Sequence, residues 1–153
     1  MHAALVALVI RIWTAAHPTL TLSEAQQGAA DAIATAVEEQ PAPSMGESHA
    51  LDAAVMAHYA DLESALDPDA VAIDPLAPGG WSCGLWQMRC GFTRHASVVA
   101  QAREWLRCVR SAGLAGVDSS KSRARRRTER ARAKLRFALG LADPPPRDGA
   151  DQR

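Results

Sequence analysis

The sequence predicts a mainly α, single-domain protein with little or no β-sheet. Three observations predict it. Alanine-rich stretches with apolar residues at helical spacing dominate the chain, and strand-like alternation is nearly lacking. Hydrophobic residues make up 48% of the chain, near the globular average, which excludes a wholly disordered protein. The length of 153 residues suits one domain with a core of its own. We expect a helical domain over residues 1–140, with N-terminal helices over 3–39 and a functional core over about 48–139. A loose tail over 141–153 follows.

Residues 3–16 read as an amphipathic helix ended by His17-Pro18, because the residue before a proline avoids helical backbone. Its apolar run from Ala3 to Ile10 is too short to span a bilayer. It also lacks the basic flank and cleavage site of a signal peptide, so no transmembrane anchor is expected and any export uses another route. Ser23, with Gln26 three residues on, has the capping-box form and opens a helix to about Glu39. Pro41 and Pro43 break the chain.

The next helix runs from His49 to Leu66, with Leu51, Val55, Tyr59, Leu62 and Leu66 on one stripe. Asp67-Pro68 ends it. Residues 67–80 hold three prolines and two glycines and read as a loop, long enough to suggest a functional reason. A helix from Ser97 to Arg110 turns Val98, Ala102, Trp105, Leu106 and Val109 inward. "SAGLAGVDSS" connects it to a last helix over 121–139, with Gly140 as its C-cap.

Charge is balanced overall and uneven along the chain. Residues 1–80 carry eleven acids and one base, and residues 81–153 carry six acids and sixteen bases. Nine of those bases fall in "KSRARRRTERARAKLR", residues 121–136. Arg123, Arg126, Arg127 and Arg130 share one helical face there, a solvated face that offsets the acidic half. The same face, Arg123 to Arg136, suits anionic envelope polymers. A nucleic-acid partner is not expected, because the chain has neither excess positive charge nor a reading helix with Asn or Gln.

Three cysteines are too few for a disulfide scaffold, and no CxxC pair is present. Cys83 and Cys90 could close a short loop in an oxidising compartment; the plain alternative is three small buried side chains. The five histidines lack metal-ligand spacing and no phosphate-binding glycine loop occurs, so no cofactor is expected.

The chemistry centres on "GGWSCGLWQMRC", residues 79–90. Trp81 and Trp86 offer flat faces on which sugar rings stack, unless they simply pack the core, a role that suits Trp86 while Trp81 lines a cleft. Gly84 permits close backbone approach to a ligand. Gln87 both donates and accepts hydrogen bonds, as hydroxyl and acetamido groups require. Some twenty residues upstream, Glu63 lies near the end of the long helix at the edge of its apolar stripe. Partial burial there disfavours the charged form and keeps a carboxylic acid able to protonate a leaving oxygen. The plain alternative is a surface residue at a helix end.

Three pieces occur in order: Glu63-Ser64, Asp67-Pro68-Asp69-Ala70 and Gly84-Leu85-Trp86-Gln87. Together, "LESALDPDAVA … SCGLWQM" resembles the lysozyme-like lytic transglycosylases and related phage or bacterial lysozymes, over about residues 50–110. That resemblance implies a lysozyme-like fold with the acid at a helix end facing a cleft. It implies cleavage of the β-1,4 bond between N-acetylmuramic acid and N-acetylglucosamine in peptidoglycan, with Glu63 as general acid and then base. Ser64, Asp74, Trp81, Gly84, Leu85, Trp86 and Gln87 are then expected at the glycan site. It also implies the periplasm or the extracellular wall space, and the chain is expected to act as a monomer.

A hydrolase needs a second carboxylate, for which Asp67, Asp69 and Asp74 are the nearby choices. A transglycosylase needs one acid, because the C6 hydroxyl of the sugar itself attacks. The chain departs from the family in lacking an A-Y-N-x-G segment. Its single tyrosine is Tyr59, and "GLAGVDSS" stands in that place, with Ser119 or Ser120 as substitutes. The alternative functions are a catalytically weak glycan-binding protein, a member of a phage or mobile-element envelope complex, or, from another class, a basic helical nucleic-acid-associated protein. Glu47-Ser48 is a second E-S pair, but it precedes its helix and reads as capping.

Overall fold

A computed structural model of the chain describes residues 1–45, 47–75, 79–89, 93 and 95–113. The expected last helix, the arginine run, Ser119 and Ser120, and the tail lie outside the described residues. Within them are four helices: α1 (His2–Ala16), α2 (Glu24–Glu38), α3 (His49–Ser64) and α4 (Val98–Ala112). Three short strands, β1 (Val71–Ile73), β2 (Trp81–Cys83) and β3 (Met88–Arg89), form an antiparallel sheet in that order. The protein is mainly α, as its sequence predicts.

Three of the four helices start at a serine cap. Ser23 accepts the Gln26 N–H at 3.2 Å while the Gln26 side chain accepts the Ser23 N–H at 2.9 Å, completing the capping box of α2. Ser48 and Ser97 cap α3 and α4 by accepting the N–H groups of Leu51 and Ala100. Glu47 therefore precedes a serine cap. His17 ends α1 in a non-helical conformation in front of Pro18.

α2 packs on α1, α3 and α4, and α1 also packs on α3. Helix α3 is buried nearly all round, through Leu51 to Ala57 and then Tyr59 and Ala60, as expected of a central helix. Leu5, Leu8, Val9 and Trp13 of α1 and Ala102, Trp105, Leu106 and Val109 of α4 close the core from outside. None of the helices among the described residues is long and apolar enough to cross a membrane.

Two details differ from the expected picture. The stripe on α3 stops early: Leu62 is exposed, and the helix ends at Ser64 rather than Leu66. The segment over 67–80 is not all loop, because it contains β1, and the tryptophan-rich run supplies β2, a turn and β3. Strands of two or three residues are too short to show alternation in a sequence.

Asp52 is a fully buried acid in the first turn of α3. Its carboxylate accepts the N–H groups of Ser44 at 2.5 Å and Met45 at 3.1 Å, tying the α2–α3 connection to the central helix. Burial pushes its pKa up from the ordinary 3.8, against the lowering effect of those two N–H donors. The native state thus holds this proton more tightly than the unfolded chain. The stabilising contribution of that proton is fully present below 3.8 and is lost as pH rises through the raised native value. Asp52→Asn should flatten this part of a stability-versus-pH curve measured by denaturant titration. Asp52→Ala should destabilise the fold at neutral pH by about 1–3 kcal/mol, because both N–H groups lose their acceptor.

Candidate active site

The candidate site is built where α3 ends. Ser64, its last residue, places its hydroxyl 2.9 Å from both the Ala60 and the Leu85 carbonyls, either of which can accept its one hydrogen. The second contact spans 21 residues and fastens the Glu63-Ser64 pair to the Gly84–Gln87 turn. Beyond Ser64 the chain turns sharply. Ala65 (φ 54°) and Leu66 (φ 64°) are both left-handed, and the Leu66 N–H reaches back to the Ala60 carbonyl at 3.2 Å. Gln26 of α2 donates to the Ala65 carbonyl at 2.8 Å and steadies this exit.

The facing turn is equally constrained. Gly84 takes φ +80° and Gln87, a non-glycine residue, takes φ 46°. A Cβ on Gly84 would lie 2.3 Å from Gln101 Oε1 and 2.4 Å from Thr93 Cγ2. Glycine is therefore required here for packing inside the protein, which corrects the expectation that it offers bare backbone to a ligand. Among the described residues, only Ala65, Leu66 and Gln87 are non-glycine residues with positive φ. All three flank the Ser64–Leu85 junction. Strain of this kind, about 1–2 kcal/mol per residue, persists where the surroundings enforce it and gathers at functional sites.

The other expected site residues separate into three groups. Leu85 and Trp86 belong to the core. The Trp86 ring stacks on Trp105 at 5.5 Å, and its Nε1–H donates to the Met56 carbonyl at 3.0 Å. Their side chains are packed against protein, so they shape the floor of a site rather than touch a ligand. Trp81 is 48% exposed and stands opposite Ile73, itself 74% exposed, across the β1–β2 pair. These two make an apolar strip beside the hairpin. Two of the aspartates are engaged within the protein: Asp67 accepts the Asp69 N–H at 2.9 Å within the turn, and Asp74 accepts the Ser82 hydroxyl at 2.7 Å across the hairpin.

Gln87 donates through Nε2 to the Gly84 carbonyl at 3.0 Å and more weakly to Ala70 at 3.4 Å. Its Oε1 is buried and has no hydrogen-bond donor. Such an acceptor costs about 1–3 kcal/mol while unpaired, and because it is buried it offers no surface to a ligand in this conformation. Glu63 corrects a second expectation: it is exposed, so burial in the protein does not by itself desolvate its carboxyl. Cys83 is disulfide-bonded and Cys108 carries a free thiol; Cys90, the expected partner, lies outside the described residues. Among the described residues no group of three His, Cys, Asp or Glu side chains is placed to hold a metal ion.

Two residues that hold this site were not anticipated. In the sequence Gln26 reads only as a cap. Gln101 of α4 is 3% exposed and contacts both sides of the site; its signal was an amide on the same helical face as Val98, Ala102 and Trp105. Comparison with known proteins finds no matching family model, no matching curated protein and no matching solved structure.

The left-handed exit gives a direct test. Ala65→Gly should stabilise the protein by about 1 kcal/mol in thermal or denaturant unfolding, because glycine reaches this conformation without a Cβ clash. A neutral or destabilising result would mean that the exit carries no strain.

Proposed function

We propose that the protein cleaves peptidoglycan glycan strands at the β-1,4 bond between N-acetylmuramic acid and N-acetylglucosamine, with Glu63 as acid and base. The observation that carries this reading is the 2.9 Å bond from Ser64 Oγ to the Leu85 carbonyl. It brings the E-S pair and the G-L-W-Q turn, each weak alone as a motif, to one junction. The lysozyme-like fold remains part of this proposal.

In the proposed reaction the protonated Glu63 carboxyl gives its proton to the glycosidic oxygen as the C1–O bond breaks. The carboxylate then takes a proton from the attacking oxygen. That oxygen is the C6 hydroxyl of the same muramic acid in a transglycosylase, and water in a hydrolase. Because Glu63 is exposed, the sugar itself must exclude water from the carboxyl on binding. The Trp81–Ile73 strip suits the apolar face of a pyranose ring. Asp67 and Asp74 are engaged in turn and hairpin hydrogen bonds, which leaves Asp69 as the candidate second carboxylate for a hydrolase, whereas the transglycosylase route needs one acid alone. The disulfide at Cys83 suits the oxidising space outside the cytoplasm, where the wall lies.

A second reading is glycan binding without cleavage, favoured by the exposure of Glu63.

On wall-containing gels the wild-type protein should clear a zone, and Glu63→Gln should lower the rate by at least about 10²-fold with an unchanged melting temperature. Retention on purified walls with no clearing would support the binding reading instead. Mass spectrometry should find 1,6-anhydro ends on the products. Trp81→Ala should raise KM about fivefold, corresponding to roughly 1 kcal/mol of lost stacking, with little change in kcat.

A further inference from the structure

We infer that Gln101 is the positioning residue of this site, the group that fixes Glu63 relative to the Gly84–Gln87 turn; the inference rests on the glycosidase reading above. Gln101 projects from the first turns of α4 and is buried, at 3% exposure. Its Oε1 accepts the Leu85 N–H at 3.1 Å, and its Nε2 faces the Pro68 carbonyl at 3.4 Å. One amide thereby holds both chain segments that meet at the site: the Asp67–Ala70 turn that follows Glu63, and the turn that carries Gln87.

Three further facts make this placement specific. The Leu85 peptide is held at both ends, its N–H by Gln101 and its carbonyl by Ser64, the neighbour of Glu63. Gly84 packs so closely on the Gln101 amide that no larger residue fits. An amide is also the group the site needs, because the two segments present one donor and one acceptor. A carboxylate supplies only the acceptor and an ammonium only donors. Gln101 lies behind the turn and does not reach the scissile bond, so its effect passes through Leu85 and Ser64.

The test is a pair of substitutions assayed on peptidoglycan with the full chain. Gln101→Met keeps the volume and removes both polar atoms. It should lower kcat by 10-fold or more with KM changed less than twofold, and should speed amide hydrogen exchange at Leu85 while the α1 and α2 amides stay protected. Gln101→Glu keeps the acceptor and regains the donor only when protonated. Its kcat relative to wild type at the same pH should therefore rise toward low pH and fall as pH rises, a trend absent from the same ratio for Gln101→Met. Full kcat in folded Gln101→Met, or unaltered Leu85 exchange, overturns the inference while leaving the glycosidase reading standing. A wild-type protein that leaves walls intact overturns that reading, and this inference with it.

Discussion

A single hydroxyl hydrogen joins the two halves of the candidate site. Ser64 carries one O–H and has two carbonyls within reach, Ala60 on its own helix and Leu85 in the facing turn. In an ordinary helix the bond to the residue four positions back would win. Here the Ala60 carbonyl also receives the Leu66 N–H, because the chain leaves the helix through two left-handed residues. The hydroxyl can then serve Leu85 without stranding a buried carbonyl. The bend after Ser64 and the docking of the turn are parts of one hydrogen-bond arrangement, and neither is complete without the other.

Such an arrangement holds only against a rigid background. Left-handed backbone at Ala65, Leu66 and Gln87 is unfavourable by itself. The compensation is in the core. Leu66 and Leu85 are fully buried, and Trp86 is fixed by its stack on Trp105 and its bond to the Met56 carbonyl of the central helix. Burial of each such side chain contributes about 1.5–3 kcal/mol, enough to outweigh the local strain. The turn is thus wedged into the α3–α4 region by the residues next to its strained positions. That division of labour explains why Trp86 and Leu85, expected near a ligand, are found inside while Trp81 remains at the surface.

The helices were legible in the sequence because their signals are local. A capping serine, a proline after histidine and apolar residues at three- and four-residue spacing locate α1, α2 and α4 within a residue or two. The end of α3 was not, because Leu62 and Leu66 continue the apolar spacing although the helix stops at Ser64. What ends it is the tertiary pull of Leu85 on Ser64 and of Gln26 on Ala65, and no local rule encodes that. The short sheet escaped for want of length. Of the candidate site, the meeting of Glu63-Ser64 with Gly84–Gln87 followed from motif order, whereas the role of Gln101 depends on contacts 16 and 33 residues away.

The exposure of Glu63 changes where desolvation must come from. A buried acid arrives at its substrate already stripped of water, at a standing cost to the fold. An exposed one leaves the fold unburdened and requires the ligand to form the missing wall. The surroundings are consistent with that second design. The large apolar surfaces left uncovered on the hairpin are Val71, Ile73 and Trp81. A ring with one apolar face complements them. On the proposed reading, binding and activation are then the same event: the contacts that seat the sugar also remove water from the acid. Selectivity follows from this, since a ligand too small to cover Glu63 would bind without being cleaved.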